Sequence, residues 1–228
     1  MTDIEGSGAY EEIIYEIEGP VATITMNRPD KLNALTDLTQ AEIRHALDIS
    51  ERTREVVGTV ITGAGRGFCS GVDMGALGDM SKAGSLQKKS HDHLAAEPGN
   101  PDNDPNFKSS PTYFLGLRKP LIAAVNGACA GLGFSYATFC DMRFVDKTAR
   151  FITSFGPRGL IAEHGTSWML PRLVGPSNAL DVLWSSRKMD AEEAFRIGYA
   201  NRICEAGDSA IEARNYLRAI AKTSAPIS

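Results

Sequence analysis

The feature that most constrains this chain is residues 120–143, PLIAAVNGACAGLGFSYATFCDMR. An apolar strand is followed by a glycine-containing turn and then, without a spacer, by an apolar helix. The first N–H groups of a helix have no partner inside the helix, so a turn that enters a helix presents free backbone donors at one point. The stretch therefore predicts a site that binds an anionic oxygen through backbone N–H groups.

Another glycine-rich loop lies earlier in the chain, after another buried strand. It is called the first loop below, and the loop within residues 120–143 is called the second. Residues 63–74, GAGRGFCSGVDM, contain four glycines and come directly after the apolar run 56–62. The best donors are the residues that follow the tip glycines, Val72 and Leu132. One such donor contributes about 2.7–4 kcal/mol in a dry pocket, and two would stabilise an enolate. The same pattern also fits glycines that only close tight turns.

Composition indicates a single α/β unit. The chain has 228 residues, of which 43% are apolar and 23% charged, and it contains no apolar run long enough to span a bilayer. Strands alternate with helices along the sequence, which predicts a parallel sheet covered by helices. The net charge of −4 gives no general attraction for nucleic acid or acidic membranes, so neither is expected as a partner.

Cysteine usage and the N-terminal residues bear on location and metal binding. Cys69, Cys129, Cys140 and Cys204 have no C-x-x-C spacing and no metal-ligand spacing to the histidines, which predicts reduced, mostly buried thiols. His91-x-His93 lacks a patterned third ligand, so no metal site is predicted. The acidic N-terminus is unlike a transit or signal peptide, and the expected location is the cytoplasm.

The remaining elements follow from periodicity and end signals. Residues 11–19 and 21–27 predict an antiparallel hairpin, and residues 142–152 a further strand. A helix begins at Thr36 or Thr39, with Thr39-x-x-Glu42 as a capping box. A short helix ends near Pro171. Three more are expected at 177–186, 190–198 and 209–222, the last two with capping boxes Asp190-x-x-Glu193 and Ser209-x-x-Glu212.

Residues 75–111 differ from the rest in composition. They are rich in Pro, Asn, Asp, Ser and Lys and poor in large apolar residues. Such a segment buries too little surface to order itself, and a loop of this length inside a domain is commonly functional. It is predicted to be a mobile flap over the site.

Four blocks of the chain resemble the diagnostic blocks of the crotonase superfamily, also called the enoyl-CoA hydratase/isomerase family. They are NRPDKLNAL, GAGRGFCSGVDM, KPLIAAVNGACAGLGFSYATFCDMRF and RGLIAEHGTSWMLPRLVG, and the match is collinear from about residue 11 to residue 204. The resemblance implies a spiral core of ββα turns over residues 1–204. Residues 205–228 would begin a C-terminal helical region, which appears truncated because family members usually continue further.

The resemblance also implies partners and site residues. The substrate would be an acyl-CoA thioester, coenzyme A being part of the substrate so that no cofactor is needed, and the chain would form a homotrimer or a hexamer. The two oxyanion-hole donors fall on Val72 and Leu132, which agrees with the choice made from the glycine turns. Substrate and CoA contacts fall on Lys31, Ala34, Ser70, Gly71, Asp73, Met74, Gly131, Ser135 and Phe155. Lys31 is a candidate for a CoA phosphate, or else a solvated lysine.

The acid/base positions depart from the hydratase pattern. Typical hydratases hold a water between two glutamates, and here those positions are Ser135 and Phe155. One carboxylate remains nearby, Glu163, placed as in peroxisomal-type Δ3,Δ2-enoyl-CoA isomerases. Apolar neighbours including Ile161 are expected to exclude water from it. A glutamate held only by a helix N-terminus is the alternative.

Three functions therefore remain open. The first is double-bond isomerisation of an enoyl-CoA with Glu163 as the single acid/base. The second is hydration by Glu163 with water or with His164, which otherwise has a structural role. The third is non-catalytic binding of acyl-CoA.

Overall fold

The chain begins with an antiparallel hairpin. The computed structural model describes residues 10–73 and 91–223. Strands β1 (Ile13–Glu18) and β2 (Val21–Met26) pair in register from Ile13 with Met26 to Glu18 with Val21. Gly19, at the turn, has φ +58°, a conformation that glycine adopts without strain. The predicted hairpin is confirmed.

The hairpin is one edge of a six-stranded sheet. Its order is β1, β2, β3 (Gly58–Gly63), β5 (Leu121–Val125), β7 (Met142–Asp146) and β10 (Arg202–Cys204), and all pairs after the hairpin are parallel. Every residue of β3 and of β5 is buried. Continuous apolar strands of this kind are buried on both faces, as the sequence predicted.

A second sheet lies beyond the first and carries the glycine loops. It contains β4 (Gly67–Cys69), β6 (Ala128–Ala130), β8 (Arg150–Ile152) and β9 (Met189–Asp190). Each of β3, β5 and β7 is followed within a few residues by a short strand of this second sheet. The single strand predicted at 142–152 was therefore wrong: a turn in which Ala149 N donates to Asp146 O divides it between the two sheets.

The helices cover these sheets. They are α1 (Asp37–Arg52), α2 (Leu132–Phe139), α3 (Thr166–Val174), α4 (Pro176–Ser185), α5 (Ala191–Arg196) and α6 (Ser209–Thr223). All eight residues of α2 are buried, and Ala213 and Leu217 of α6 pack on Val60, Ile122 and Phe144 of the first sheet. The mixed α/β architecture with C-terminal helices is confirmed.

Three details of the helix ends differ from the predictions. Thr36 is the N-cap of α1 and exchanges hydrogen bonds with Thr39. The predicted box of Thr39 with Glu42 is not formed, and the Glu42 carboxylate accepts the N–H groups of Glu11 and Glu12. Ser209 is the first helical residue of α6, and its hydroxyl has no partner within the described residues. Pro171 lies inside α3, which continues for three residues beyond it.

The second half of the predicted flap lies against α1. Residues 75–90 are outside the described residues, while residues 91–111 contain short 3₁₀ turns at Asp92–Leu94 and Pro105–Phe107. Arg44 of α1 donates to Ala96 O at 2.9 Å and to Lys108 O at 3.2 Å. Within residues 10–73 and 91–223, no helix combines the length and apolar character needed to cross a bilayer.

Candidate active site

The two glycine loops meet at one edge of the second sheet. Strands β4 and β6 are parallel neighbours, so the loops that follow Cys69 and Ala130 leave the sheet on the same side. Gly71 has φ +107°, and a Cβ placed there would lie 3.2 Å from Ala130 O and 3.4 Å from Leu132 N. The tips of the loops are thus in contact. The positive φ of Gly71 favours glycine at this position, and a side chain there would crowd Ala130 O.

The second loop turns directly into α2. Leu132 is the first helical residue and follows Gly131, whose φ is +52°. A Cβ at Gly133 would lie 2.5 Å from the carbonyl oxygen of Cys69, so α2 begins in close contact with the end of β4. Within the described residues, the Leu132 N–H donates to no protein acceptor. This agrees with the orphan donors expected at a helix start.

Val72 is held by an isolated parallel bridge with Leu35. Leu35 N donates to Gly71 O at 2.7 Å, and Asp73 N donates to Leu35 O at 3.0 Å. Successive residues of an extended segment direct their N–H groups to opposite sides, so the N–H of Val72 itself points away from Leu35. In the described part of the chain it donates to no protein acceptor.

The predicted CoA-contacting residues surround these loops. Lys31 is exposed, Ala34 is buried, and Ser70 Oγ donates to Lys31 O at 3.2 Å. The Asp73 carboxylate accepts a hydrogen bond from Arg28 at 2.8 Å. Met74 lies outside the described residues. The structure therefore brings the segment that contains Lys31 and Ala34 against the first loop, to which Ser70 belongs.

The two residues predicted to stand at the glutamate positions of hydratases are buried. Ser135, on α2, is fully buried, and its Oγ lies 2.8 Å from Thr166 Oγ1. Phe155 is 4% exposed. Thr166 was missed by the sequence reasoning, since nothing in its local pattern distinguishes it from a residue that begins a helix.

Glu163 lies in the turn before α3. Its carbonyl oxygen accepts the N–H of Thr166 at 3.0 Å, so the Ser135–Thr166 pair joins this turn to the helix that begins at Leu132. The Glu163 side chain is 41% exposed, and its Oε2 lies 3.9 Å from His164 Nε2. The expected apolar enclosure is not formed within one chain, because Ile161 is itself 81% exposed.

Other reactive side chains do not form a site. All four cysteines are buried and unpaired, and burial raises the pKa of Cys69, beneath the first loop, to about 12. A thiol with such a pKa is inert as a nucleophile near neutrality. In residues 10–73 and 91–223, no three His, Cys, Asp or Glu side chains are grouped as metal ligands, and His91 and His93 contact each other edge to face.

Comparison with known proteins assigns this arrangement to a class. The family described as enoyl-CoA hydratase/isomerase matches residues 16–227. A probable enoyl-CoA hydratase of Mycobacterium tuberculosis is 35% identical over 199 residues, which cover 86% of this chain and 71% of the relative. The 1,2-epoxyphenylacetyl-CoA isomerase of Escherichia coli is 32% identical over 194 residues, covering 82% and 68%.

A solved structure gives the same result for the fold. An enoyl-CoA hydratase of Mycobacterium marinum superposes with a TM-score of 0.74 at 36% identity, covering 95% of this chain and 92% of that one. The fold and the paired loops define an enzyme of the crotonase type. The chain belongs to the enoyl-CoA hydratase/isomerase family.

Proposed function

We propose that this enzyme shifts the double bond of an enoyl-CoA thioester, with Glu163 as the single acid/base. The observation that carries the proposal is the burial of Ser135 and its hydrogen bond with Thr166. A neutral hydroxyl pair occupies the position from which one hydratase carboxylate would act, and Phe155 occupies the other. Hydration by two carboxylates is therefore replaced by chemistry that needs one.

The proposed reaction proceeds in two proton transfers. Glu163 removes a proton from C2 of a 3-enoyl thioester, and the electron pair moves onto the thioester oxygen to give a dienolate. The N–H groups of Val72 and Leu132 donate to that oxygen, where each donor is worth about 2.7–4 kcal/mol. The protonated Glu163 then returns the proton to C4, and the 2-enoyl thioester forms. No water and no cofactor take part.

The experiment compares two substrates and two variants. Purified enzyme is assayed with a 3-enoyl-CoA and with a 2-enoyl-CoA, and the assays are repeated with Glu163→Gln. Glu16→Gln, which changes an exposed carboxylate on β1, is the matched control. We expect 3-enoyl turnover in the wild type and the control and a loss of at least about 100-fold in Glu163→Gln, as is typical for a general base. Undiminished activity in Glu163→Gln would refute the assignment.

Hydration is the second candidate function, and the contact between Glu163 and His164 at 3.9 Å favours it. If the two side chains together activate water, His164→Asn abolishes addition of water to the 2-enoyl substrate. In the isomerase mechanism the same variant retains turnover of the 3-enoyl substrate. The two candidates therefore give opposite results with His164→Asn.

We further propose that the enzyme assembles as a homotrimer, alone or paired into a hexamer. Ile161, beside Glu163, is 81% exposed, and Trp184 of α4 is 76% exposed. Large apolar side chains exposed to this extent are typical of surfaces that another chain covers. A second copy covering Ile161 would also supply the apolar enclosure that Glu163 lacks in one chain.

A further inference from the structure

Arg28 lies at the junction of three segments that surround the first glycine loop. Its Nη2 is 2.8 Å from Asp73 Oδ2, its Nη1 donates to Ala34 O at 2.5 Å, and its Nε is 3.2 Å from Glu12 Oε1. Each of the three guanidinium nitrogens thus contacts a protein oxygen. The side chain is 21% exposed, and those of Glu12 and Asp73 are 18% and 16% exposed.

These contacts hold both sides of the Leu35–Val72 bridge, which orients the Val72 N–H away from Leu35. Ala34 is the residue before Leu35, and Asp73 is the residue after Val72, so Arg28 binds one neighbour on each side of the Leu35–Val72 bridge. The bridge supplies only two backbone hydrogen bonds. A planar guanidinium has a fixed fork of donors and therefore sets the separation and angle of the two segments it joins.

Glu12 anchors the guanidinium in turn. Its carboxylate accepts hydrogen bonds from the hydroxyls of Thr36 and Thr39 at the start of α1, in addition to the contact with Arg28. The Arg28 side chain is thereby fixed to the N-terminal end of the main helix rather than free to follow the loop. The chain of contacts runs from α1 through Glu12 and Arg28 to Asp73.

We propose that Arg28 is a positioning residue that aims the Val72 N–H at the thioester oxygen. This inference rests on the proposed function in that it takes Val72 as an oxyanion donor. In this role Arg28 acts through its contacts with Asp73 and Ala34, and not by contacting the thioester. Its loss should weaken enolate stabilisation more than it weakens binding of coenzyme A, for which Ala34 and Asp73 are also expected contacts.

The test uses acetoacetyl-CoA, whose enolate absorbs in the near ultraviolet where the keto form does not. Bound to the wild type, the ligand should be largely enolate. In Arg28→Gln the ratio of enolate to keto form at constant pH should fall about tenfold, a fraction of what a whole oxyanion donor supplies. Coenzyme A affinity, measured by calorimetry, should change by clearly less than tenfold, a step in the dissociation constant that equals about 1.4 kcal/mol.

Three further variants distinguish positioning of the Val72 N–H by Arg28 from an effect of its charge and from an effect on folding stability. Arg28→Lys keeps the charge but not the fork and should lose most of the enolate signal, whereas a purely electrostatic role predicts recovery. Asp73→Asn is a milder change on the other partner and tests the same contact if Arg28→Gln folds poorly. Arg118→Gln is the matched control, because Arg118 also pairs with a carboxylate, Glu51 at 3.2 Å, outside the loops.

The outcomes distinguish this inference from the proposed function. A wild type that binds acetoacetyl-CoA without forming enolate would overturn both the oxyanion role of Val72 and the role of Arg28. A wild type that forms enolate, together with Arg28→Gln and Asp73→Asn proteins that form it equally, would overturn only the role of Arg28. Weaker coenzyme A binding with an unchanged enolate ratio would also overturn it, because Arg28 would then serve CoA binding and not enolate stabilisation.

Discussion

Ser135 Oγ and Thr166 Oγ1 form a hydrogen bond of 2.8 Å between two fully buried side chains on different helices. Ser135 lies one turn into the helix that begins at Leu132, and Thr166 begins the helix that follows Glu163. The pair therefore joins the helix that begins at Leu132 to the turn that contains Glu163, the proposed base. Ser135 is one of the two positions at which the resemblance predicts a glutamate in hydratases.

Replacing Thr166 with valine should uncouple the two helices. The shape is kept, but the Ser135 hydroxyl is left with only a 3.5 Å contact to Gly131 O, and an unsatisfied buried hydroxyl costs about 1–3 kcal/mol. We expect that loss in urea unfolding, together with a lower kcat at an unchanged KM because Glu163 is displaced.

The double variant Ser135→Ala/Thr166→Val provides the internal comparison. With both polar partners removed, most of the unfolding free energy should return, since no buried group is left unpaired. Thr223→Val, at the end of α6, is the control. Equal stability of Thr166→Val and the wild type would show that the hydrogen bond does not hold the helices together.

Gly133 should be irreplaceable for steric reasons alone. A Cβ there would be 2.5 Å from the Cys69 carbonyl oxygen and 2.8 Å from Cys69 Sγ, so α2 must move away from β4 in Gly133→Ala. Overpacking of this kind costs about 1–3 kcal/mol, and the shift displaces the Leu132 N–H. We expect lower stability in urea and a kcat reduced at least about tenfold, since a lost donor costs more than that.

Gly156→Ala is the matched control for that experiment. A Cβ at Gly156 would meet its nearest atoms at 3.5 Å, an ordinary contact, and its φ is not positive. This variant should retain stability and rate. If Gly133→Ala behaved like it, the close approach of α2 to β4 would have no part in forming the site.

The sequence indicated the glycine loops of this site better than the arrangement around them, and the donor roles of Val72 and Leu132 stay predictions. Gly71 and Gly131, just before Val72 and Leu132, have positive φ angles that glycine adopts without strain. A glycine of this kind can be recognised from the local sequence alone. The short strands β4 and β6 have no such local signal, because each has only three residues and three residues show no periodicity. The existence of a second sheet could therefore not be read from the residues themselves.

Long-range side-chain pairs were the other omission. Arg28 contacts Asp73 across 45 residues and Ser135 contacts Thr166 across 31, distances in sequence at which no capping or turn rule applies. Glu42 shows the same effect in reverse: its local pattern fits a capping box, yet backbone donors about 30 residues away take its carboxylate. Local sequence patterns therefore identify residues that could form a cap or a turn, but contacts with distant residues determine whether they do.

Stability should fall in alkaline solution in part because of Cys204. Burial raises the pKa of this thiol on β10 from 9.0 to about 11. A group whose pKa is higher in the folded state than in the unfolded state favours the fold most at pH values below its unfolded pKa. For Cys204 this contribution is complete below about pH 9 and is lost as the pH rises toward 11. Urea titrations from pH 8 to 11 should show a smaller decline for Cys204→Ala than for the wild type, and parallel declines would contradict this.

Trp184 should mark a surface covered by another copy of the chain. Its side chain is 76% exposed on α4, and a carboxylate placed there would be desolvated and unpaired in an apolar interface. Light scattering of the wild type should give three or six times the chain mass of 24.5 kDa, and Trp184→Glu should shift the protein toward the monomer. Ile14→Glu, an exposed apolar position on β1, is the control and should leave the assembly intact. A wild type that remains monomeric at the highest concentration measured would contradict the proposed trimer, and the exposed Ile161 beside Glu163 would then face solvent during catalysis.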